Sequence, residues 1–220
     1  MDVVLILLGM GAFIGLIIYI THQQEKKRQA ALATFANEQN YQFVAGDDSS
    51  ILGKYDQFSL FRRGRSKRGK NSLTQTKDGF FLHIFDYQYT TGSGKSKSTH
   101  QRTCIYIKGE QAVFPHFFLR REIAVFDFLG KIFGGQDINF DSDSEFSNSF
   151  VLQGNDAEKT RYFFSSKRTR EACLIYKGTE ATIEGNQDAL MISLYQLSPE
   201  KLPLEIENAL LLYNSIVPNS

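Results

Sequence analysis

From Val3 to Ile20 the chain reads VVLILLGMGAFIGLIIYI without a charge, and Glu25, Lys26, Lys27 and Arg28 follow soon after. At about 1.5 Å per residue, a helix over this stretch is about 27 Å long, which matches a hydrocarbon core of about 30 Å once Thr21 and the first residues complete it. The stretch therefore reads as a membrane anchor. A cleaved secretory signal fits less well. The leading residues carry no Lys or Arg, the apolar run exceeds the roughly 7 to 15 residues of a signal core, and Thr21-His22-Gln23-Gln24 offers no small-residue cleavage site. Ala31-Leu32-Ala33 fits such a site but lies beyond the positive cluster. Positive residues near a span stay on the cytoplasmic side, and here all of them follow it. The expected topology is a single-pass membrane protein with its N-terminus outside and its main domain cytoplasmic: residues 1–21 as anchor, 22–46 as a juxtamembrane helix and 47–220 as an α+β domain.

With 25 Lys+Arg against 24 Asp+Glu, the overall charge selects neither an acidic nor a basic partner. Cys104 and Cys173 have no spacing of a disulfide framework or a metal knuckle, so they read as buried thiols of a reducing compartment. Gln23 to Asn40 is rich in strong helix formers and should continue the membrane helix. Strands are expected over 57–62, 71–76, 80–89 and 99–108, separated by turns at Gly64 to Gly69, Asp78-Gly79 and Gly92-Ser93-Gly94; consecutive strands so closely joined imply an antiparallel meander. Beyond it, helical spacing predicts a helix over 121–133, a short strand at 150–152, and a helix begun by Asn155 with Glu158. A second helix is expected from Lys167 to Leu174, and a hairpin turning at Gly185-Asn186. A C-terminal amphipathic helix should start at Ser198-Pro199 with Ile206, Ala209, Leu210, Tyr213, Ile216 and Val217 on its apolar stripe.

The landmarks Phe85-Asp86-Tyr87-Gln88-Tyr89, Gly92-Ser93-Gly94, Phe114-Pro115-His116-Phe117 with Leu119, Arg120 and Glu122, Asp137-Ile138-Asn139-Phe140 and Phe146-Ser147 come in this order through the middle of the chain. In this the sequence resembles an uncharacterised family of bacterial single-pass membrane-anchored proteins. The resemblance implies the fold and brings no activity, ligand or catalytic residue. Arg121 stands where the family pattern has proline, which puts the start of the following helix in question.

Several motifs suggest chemistry that their context does not support. Gly94-Lys95-Ser96 resembles the end of a phosphate loop, but Tyr89 occupies the position of its first glycine and a strand follows instead of a helix. Asp141, Asp143 and Glu145 alternate like a calcium loop that lacks its glycine and its closing glutamate, with Phe146 and Leu152 there instead. The histidines show no metal-ligand spacing. No cofactor or metal is expected. A carboxylate in an aromatic strand, Asp86, needs a hydrogen-bond partner or solvent; anchoring a turn or a backbone amide is the plain reading.

Six positive residues, Arg62, Arg63, Arg65, Lys67, Arg68 and Lys70, fall in a nine-residue, glycine-punctuated stretch that reads as a basic loop. On a domain tethered to a bilayer, anionic lipid headgroups are its natural partner, at about 1 kcal/mol per Lys or Arg near the surface. The alternative is a solvated loop with no partner, and nucleic acid ranks third because no aromatic residues are interleaved in it. Gly11 and Gly15 form a G-x-x-x-G on one face of the span, where a second helix could approach to form a homodimer. The function so read is a membrane-anchored binding or scaffold module. The alternative is a membrane-tethered enzyme whose site gathers dispersed residues, with Asp86, His100 and Glu122 as contributors.

Overall fold

The computed structural model describes residues 2–77, 79–121 and 137–217, with side chains from Leu7 onward. Helix α1 (Asp2–Gln39) passes without a break from the apolar stretch into the polar sequence beyond it. It stops where Asn40 takes φ 59°, a left-handed conformation that asparagine tolerates and that turns the chain into a strand. Among the described residues it is the one helix long and apolar enough to cross a membrane, and its apolar window is not buried against the domain. Phe13, for instance, is 65% exposed.

Eight strands follow: β1 (Gln42–Asp47), β2 (Arg65–Lys77), β3 (Phe80–Thr91), β4 (Ser98–Gly109), β5 (Phe114–Arg121), β6 (Phe150–Gly154), β7 (Thr182–Gln187) and β8 (Ala189–Tyr195). They form one antiparallel sheet in the order β1-β2-β3-β4-β8-β7-β5-β6. β2, β3 and β4 are the meander that the closely spaced strands predict, whereas β1 falls where the sequence predicts that the juxtamembrane helix continues to residue 46. The second half attaches by pairing β8 to β4, so that Tyr106 faces Met191 and Ile107 faces Leu190.

Four further sequence expectations change. Residues 57–62 are not a strand: Ser59–Arg62 make the short helix α2, in which Phe58, Ser59, Leu60 and Phe61 are all buried. A strand would have turned every second one to solvent. The turn expected at Gly64 to Gly69 is mostly strand, because β2 begins at Arg65. Gly69 is there for closeness rather than for a turn; a Cβ on it would lie 2.6 Å from Ile51 Cβ. Ser66 and Asn71, both at φ 52°, sit where the β2–β3 register shifts, as β-bulges require. The hairpin reverses at Gln187-Asp188, while Gly185 and Asn186 remain in the ladder opposite Leu190 and Ala189. Finally, Asp156 rather than Asn155 caps its helix, accepting from Lys159 N at 3.0 Å. Arg121, the expected start of a helix, is the last residue of β5, and the rest of that helix, 122–133, lies outside the described residues.

The remaining α-helices among the described residues are α3 (Ser144–Ser149), α4 (Ala157–Phe163), α5 (Lys167–Cys173) and α6 (Leu202–Ile216). On one face of the sheet Leu73, Leu82, Ile84, Ile105 and Ile107 pack with Leu32 and Ala36 of α1 and with Ile206, Ala209 and Tyr213 of α6. On the other face Phe85, Tyr87, Tyr89 and Tyr106 lie under Ile51, Tyr55, Phe58 and Phe61. This aromatic layer, in which Tyr55 stacks on Phe85 at 5.2 Å between ring centres, explains the phenylalanine- and tyrosine-rich composition.

Candidate functional site

The polar half of α1 is fastened to the sheet chiefly through Arg28. Arg28 donates from Nε and Nη2 to the two carboxylate oxygens of Asp86 at 2.7 and 2.6 Å, and from Nη1 to the Leu197 carbonyl at 2.5 Å. Asp86 also accepts from Asn71 Nδ2 at 3.0 Å and from Thr103 Oγ1 at 3.4 Å. Asn71 in turn holds Glu25 of α1 at 2.9 Å and the Gly46 amide at 3.0 Å. A planar guanidinium gripping a carboxylate at two points fixes orientation as well as distance. Asp86 therefore anchors a helix, where the sequence suggested a turn or a backbone amide.

Three contacts give the direction of α1 along the sheet: Glu25 to Asn71, Arg28 to Asp86, and the Gln39 carbonyl to Gln75 Nε2. Helix and β2 run the same way, so the start of β2 and the β3–β4 turn point back toward the apolar span. From Arg28 to Thr21 the helix retraces about 10 Å at about 1.5 Å per residue, whereas β3 advances about 20 Å from Asp86 to Gly92 at about 3.3 Å per residue. The turn thus reaches as far as the edge of the apolar stretch. Its residues Gly94–Ser96 form a 3-10 turn, not a phosphate loop, with Lys95 and Lys97 exposed.

The six basic residues separate. Arg62 donates to the Asp56 carbonyl at 2.6 Å, Lys67 to the Phe61 carbonyl at 2.5 Å, and Arg63 lies 5.9 Å from the centre of the Tyr89 ring. Lys70 is 4.0 Å from Asp47. Arg65 and Arg68 are exposed at the span end of β2. The group is one end of a strand and its approach, not the flexible loop that its glycines suggested.

Of the three residues considered for catalysis, Asp86 and His100 lie on opposite faces of the sheet, because Asp86 turns to α1 while His100 stacks on Tyr89 at 4.8 Å and meets Thr91 Oγ1 at 2.7 Å. Glu122 lies outside the described residues. Glu184 escaped the sequence reading, and His83, whose alternation with Leu82 and Ile84 suggests a core edge or the solvent face, is fully buried. His83 is held between the hydroxyls of Tyr55 and Ser72, and burial, aided by Lys54, lowers its pKa to about 4. Glu184 accepts from Ser59 N at 2.8 Å and Ser59 Oγ at 2.9 Å, and lies 2.8 Å from His116 Nε2. The serine hydroxyl and the imidazole both meet the Glu184 carboxylate, which differs from the serine–imidazole–carboxylate order of a nucleophilic triad. Strand alternation could have placed His83 among Phe85 and Tyr87; nothing local announces Glu184.

Burial raises the thiol of Cys104 far above its usual range and pushes Cys173 up to about 12, which leaves both as inert core residues. Asp143 caps α3 at 3.1 Å and pairs with the buried Arg170 at 2.7 Å, so the acidic run is a helix start. No group of three or more His, Cys, Asp or Glu suited to a metal ion occurs among the described residues.

At the far end of the sheet an open groove of about 490 Å³ lies between the end of α1 and α6. Tyr41, Phe80, Pro203, Ile206, Leu210 and Leu211 supply its apolar lining, and Gln39, Gln75, Lys77, Glu207 and Asn214 its polar edge.

No family model and no curated protein matches the chain. Among solved structures it is similar to the mycobacterial trehalose monomycolate transport factor A, TtfA, with a TM-score of 0.57 and 9% sequence identity over 89% of this chain and 97% of that one. At this identity the likeness is one of fold, and it extends over nearly all of both chains.

Proposed function

We propose that the protein is a membrane-anchored, cytoplasmic binding or scaffold module, held at a fixed height and orientation on the bilayer, with its span end against anionic lipid headgroups. The observation that carries this reading is the unbroken α1 clamped to the sheet through Arg28 and Asp86. A flexible tether would leave the domain free to tumble; a continuous helix does not. Its consequence is that Arg65, Arg68, Lys95 and Lys97 are presented at the end of the sheet from which the span leaves. Each such charge near an anionic surface is worth about 1 kcal/mol. The fold likeness to a protein named a transport factor is compatible with a binding or scaffold role. The cytoplasmic placement rests on the positive residues that follow the span.

Hydrogen exchange of the full-length protein in lipid nanodiscs tests the reading. Amides of the Gly92–Lys97 turn and of Arg65 to Arg68 should exchange more slowly in phosphatidylserine-containing discs than in phosphatidylcholine discs, and added salt should remove the difference, since such charges are screened over about 8 Å at physiological ionic strength. Equal exchange in both discs would refute the lipid contact.

A further inference from the structure

We propose that Arg63 and Arg102 hold the phosphate of a phosphate monoester over a small cavity beneath α2, on the aromatic face of the sheet. The cavity measures about 20 Å³, room for one or two water-sized atoms. Of the polar residues that line it, Ser59, Tyr89 and Ser193 are buried, while Arg63, Arg102 and Thr182 keep partial exposure at its mouth. None of these residues takes part in the lipid contact of Arg65, Arg68, Lys95 and Lys97, so the two readings stand or fall separately.

The fold brings the two guanidinium groups together from different segments: Arg63 follows α2, and Arg102 lies in β4 opposite Tyr87. Arg63 is 5.9 Å from the centre of the Tyr89 ring, and Arg102 is 4.3 Å from that of Tyr195. His100, stacked on Tyr89, registers both charges, since burial first, then Arg102 and Arg63, lower its pKa. No Asp or Glu lines the cavity among the described residues. Glu184, behind Ser59, accepts from its hydroxyl at 2.9 Å and is met by His116, and the Glu180 carboxylate pairs with Arg121. Two like charges converging on a cavity without a counter-charge favour an anion there. Donors are also in surplus. Of the five N–H groups of a guanidinium, Arg102 commits Nη1 to the Glu180 carbonyl at 3.4 Å, and the Thr182 hydroxyl bonds to nothing among the described residues.

Charge narrows the anion. A phosphate monoester carries about −1.5 to −2 at neutral pH and offers three acceptor oxygens, which suits two forked guanidinium groups; a carboxylate or a phosphodiester brings only a single charge. Height above the membrane narrows the source. Tyr89, and Tyr87 opposite Arg102, lie about 10 and 17 Å before Gly92 at about 3.3 Å per residue, and Gly92 marks the end of the sheet that reaches the apolar span. The headgroup layer is only about 5–8 Å deep on each side of a bilayer. The phosphodiester of an ordinary lipid therefore stays below the cavity, whereas a monoester free in solution, or raised on a larger headgroup, reaches it.

Phenylglyoxal modification of arginines in the full-length protein in phosphatidylcholine nanodiscs, mapped by mass spectrometry, tests the site. The probes are glycerol 3-phosphate at millimolar concentration and, separately, phosphatidylinositol 4-phosphate built into the discs. At least one should slow modification of Arg63 and Arg102 by about tenfold and leave Arg161, outside the cavity lining, unchanged. Protection by the soluble probe assigns the site to a free monoester, and protection by the lipid probe alone assigns it to a headgroup. The amount of probe that half-protects Arg63 should rise about tenfold in Arg102→Gln and less steeply in Thr182→Val, which loses the hydroxyl and keeps the side-chain size. Unchanged rates at Arg63 and Arg102 with both probes would overturn the proposal. So would slowing shared by Arg161, equal protection by acetate, or undiminished protection of Arg63 in whichever variant melts like the parent.

Discussion

Arg28 and Asp86 are 58 positions apart in sequence, one beyond the end of a membrane span and the other within the third strand of the sheet, and they meet through two hydrogen bonds of 2.6 and 2.7 Å with little exposure to water. Removing one partner of a buried pair leaves the other charge stranded, at about 3–5 kcal/mol. Arg28→Ala or Asp86→Ala should lower the unfolding free energy of the solubilised protein by the lower end of that range, because Arg28 keeps some solvent contact. The double replacement Arg28→Met with Asp86→Leu should recover a large part. A double variant as unstable as the sum of the singles would mean that the two residues act separately.

His83 gives the domain an acid-sensitive term. Its folded pKa, about 4, lies below the ordinary value of 6.5, chiefly because the ring is buried and secondly because of Lys54, with Asp48 acting the other way. Between these values the unfolded chain binds a proton that the folded one refuses, so stability falls as pH drops from about 6.5 to about 4 and recovers as pH rises. Thermal melting across that window should show a shallower decline in His83→Gln. An identical slope in the variant would assign the acid sensitivity elsewhere.

Gly69 separates the loop and strand descriptions of the basic stretch. In a solvated loop Gly69→Ala would be almost neutral. With Ile51 at 2.6 Å from the new methyl, overpacking should cost about 1–3 kcal/mol. Denaturant unfolding of the variant decides it.

Topology can be read with one introduced thiol, since Cys104 and Cys173 are buried. Ser93→Cys, on the exposed β3–β4 turn, should react with a membrane-impermeant maleimide only after cells are permeabilised. Labelling of intact cells would put the domain outside.

Gly11 and Gly15 leave open space on α1, with nothing within 4 Å of a Cβ at either position. If they pair with a second copy, a membrane reporter of helix association should weaken for Gly11→Ile and Gly15→Ile and hold for Leu7→Ile. Three equal signals would make the anchor monomeric.

What the sequence disclosed followed from periodicity and composition. The span, its helical continuation, the meander of β2 to β4 and the stripe of α6 all rest on patterns repeated over ten or more residues. What it concealed depended on tertiary partners. Gly69 and Gly185 looked like turn residues because glycine serves turns and close packing alike, and only Ile51 and Phe117 overhead tell the two apart. β1 was absorbed into the juxtamembrane segment because Gln42 to Asp47 is short and lies on an edge, with little alternation to betray it. The candidate site was least legible of all. Asp86 stood out as a misplaced carboxylate, yet nothing near it named Arg28, and the groove exists only because α1 and α6 lie where the fold puts them.

The absence of a hinge between span and sheet makes α1 a lever. Transmembrane helices tilt by about 20° on average, more where the bilayer is thin relative to the span. Carried along the roughly 27 Å from Thr21 to Gln39, a 20° change of tilt sweeps the far groove sideways by about 9 Å. A bilayer that changed the tilt of the eighteen-residue run from Val3 to Ile20 would thereby displace a surface at the other end of the same helix.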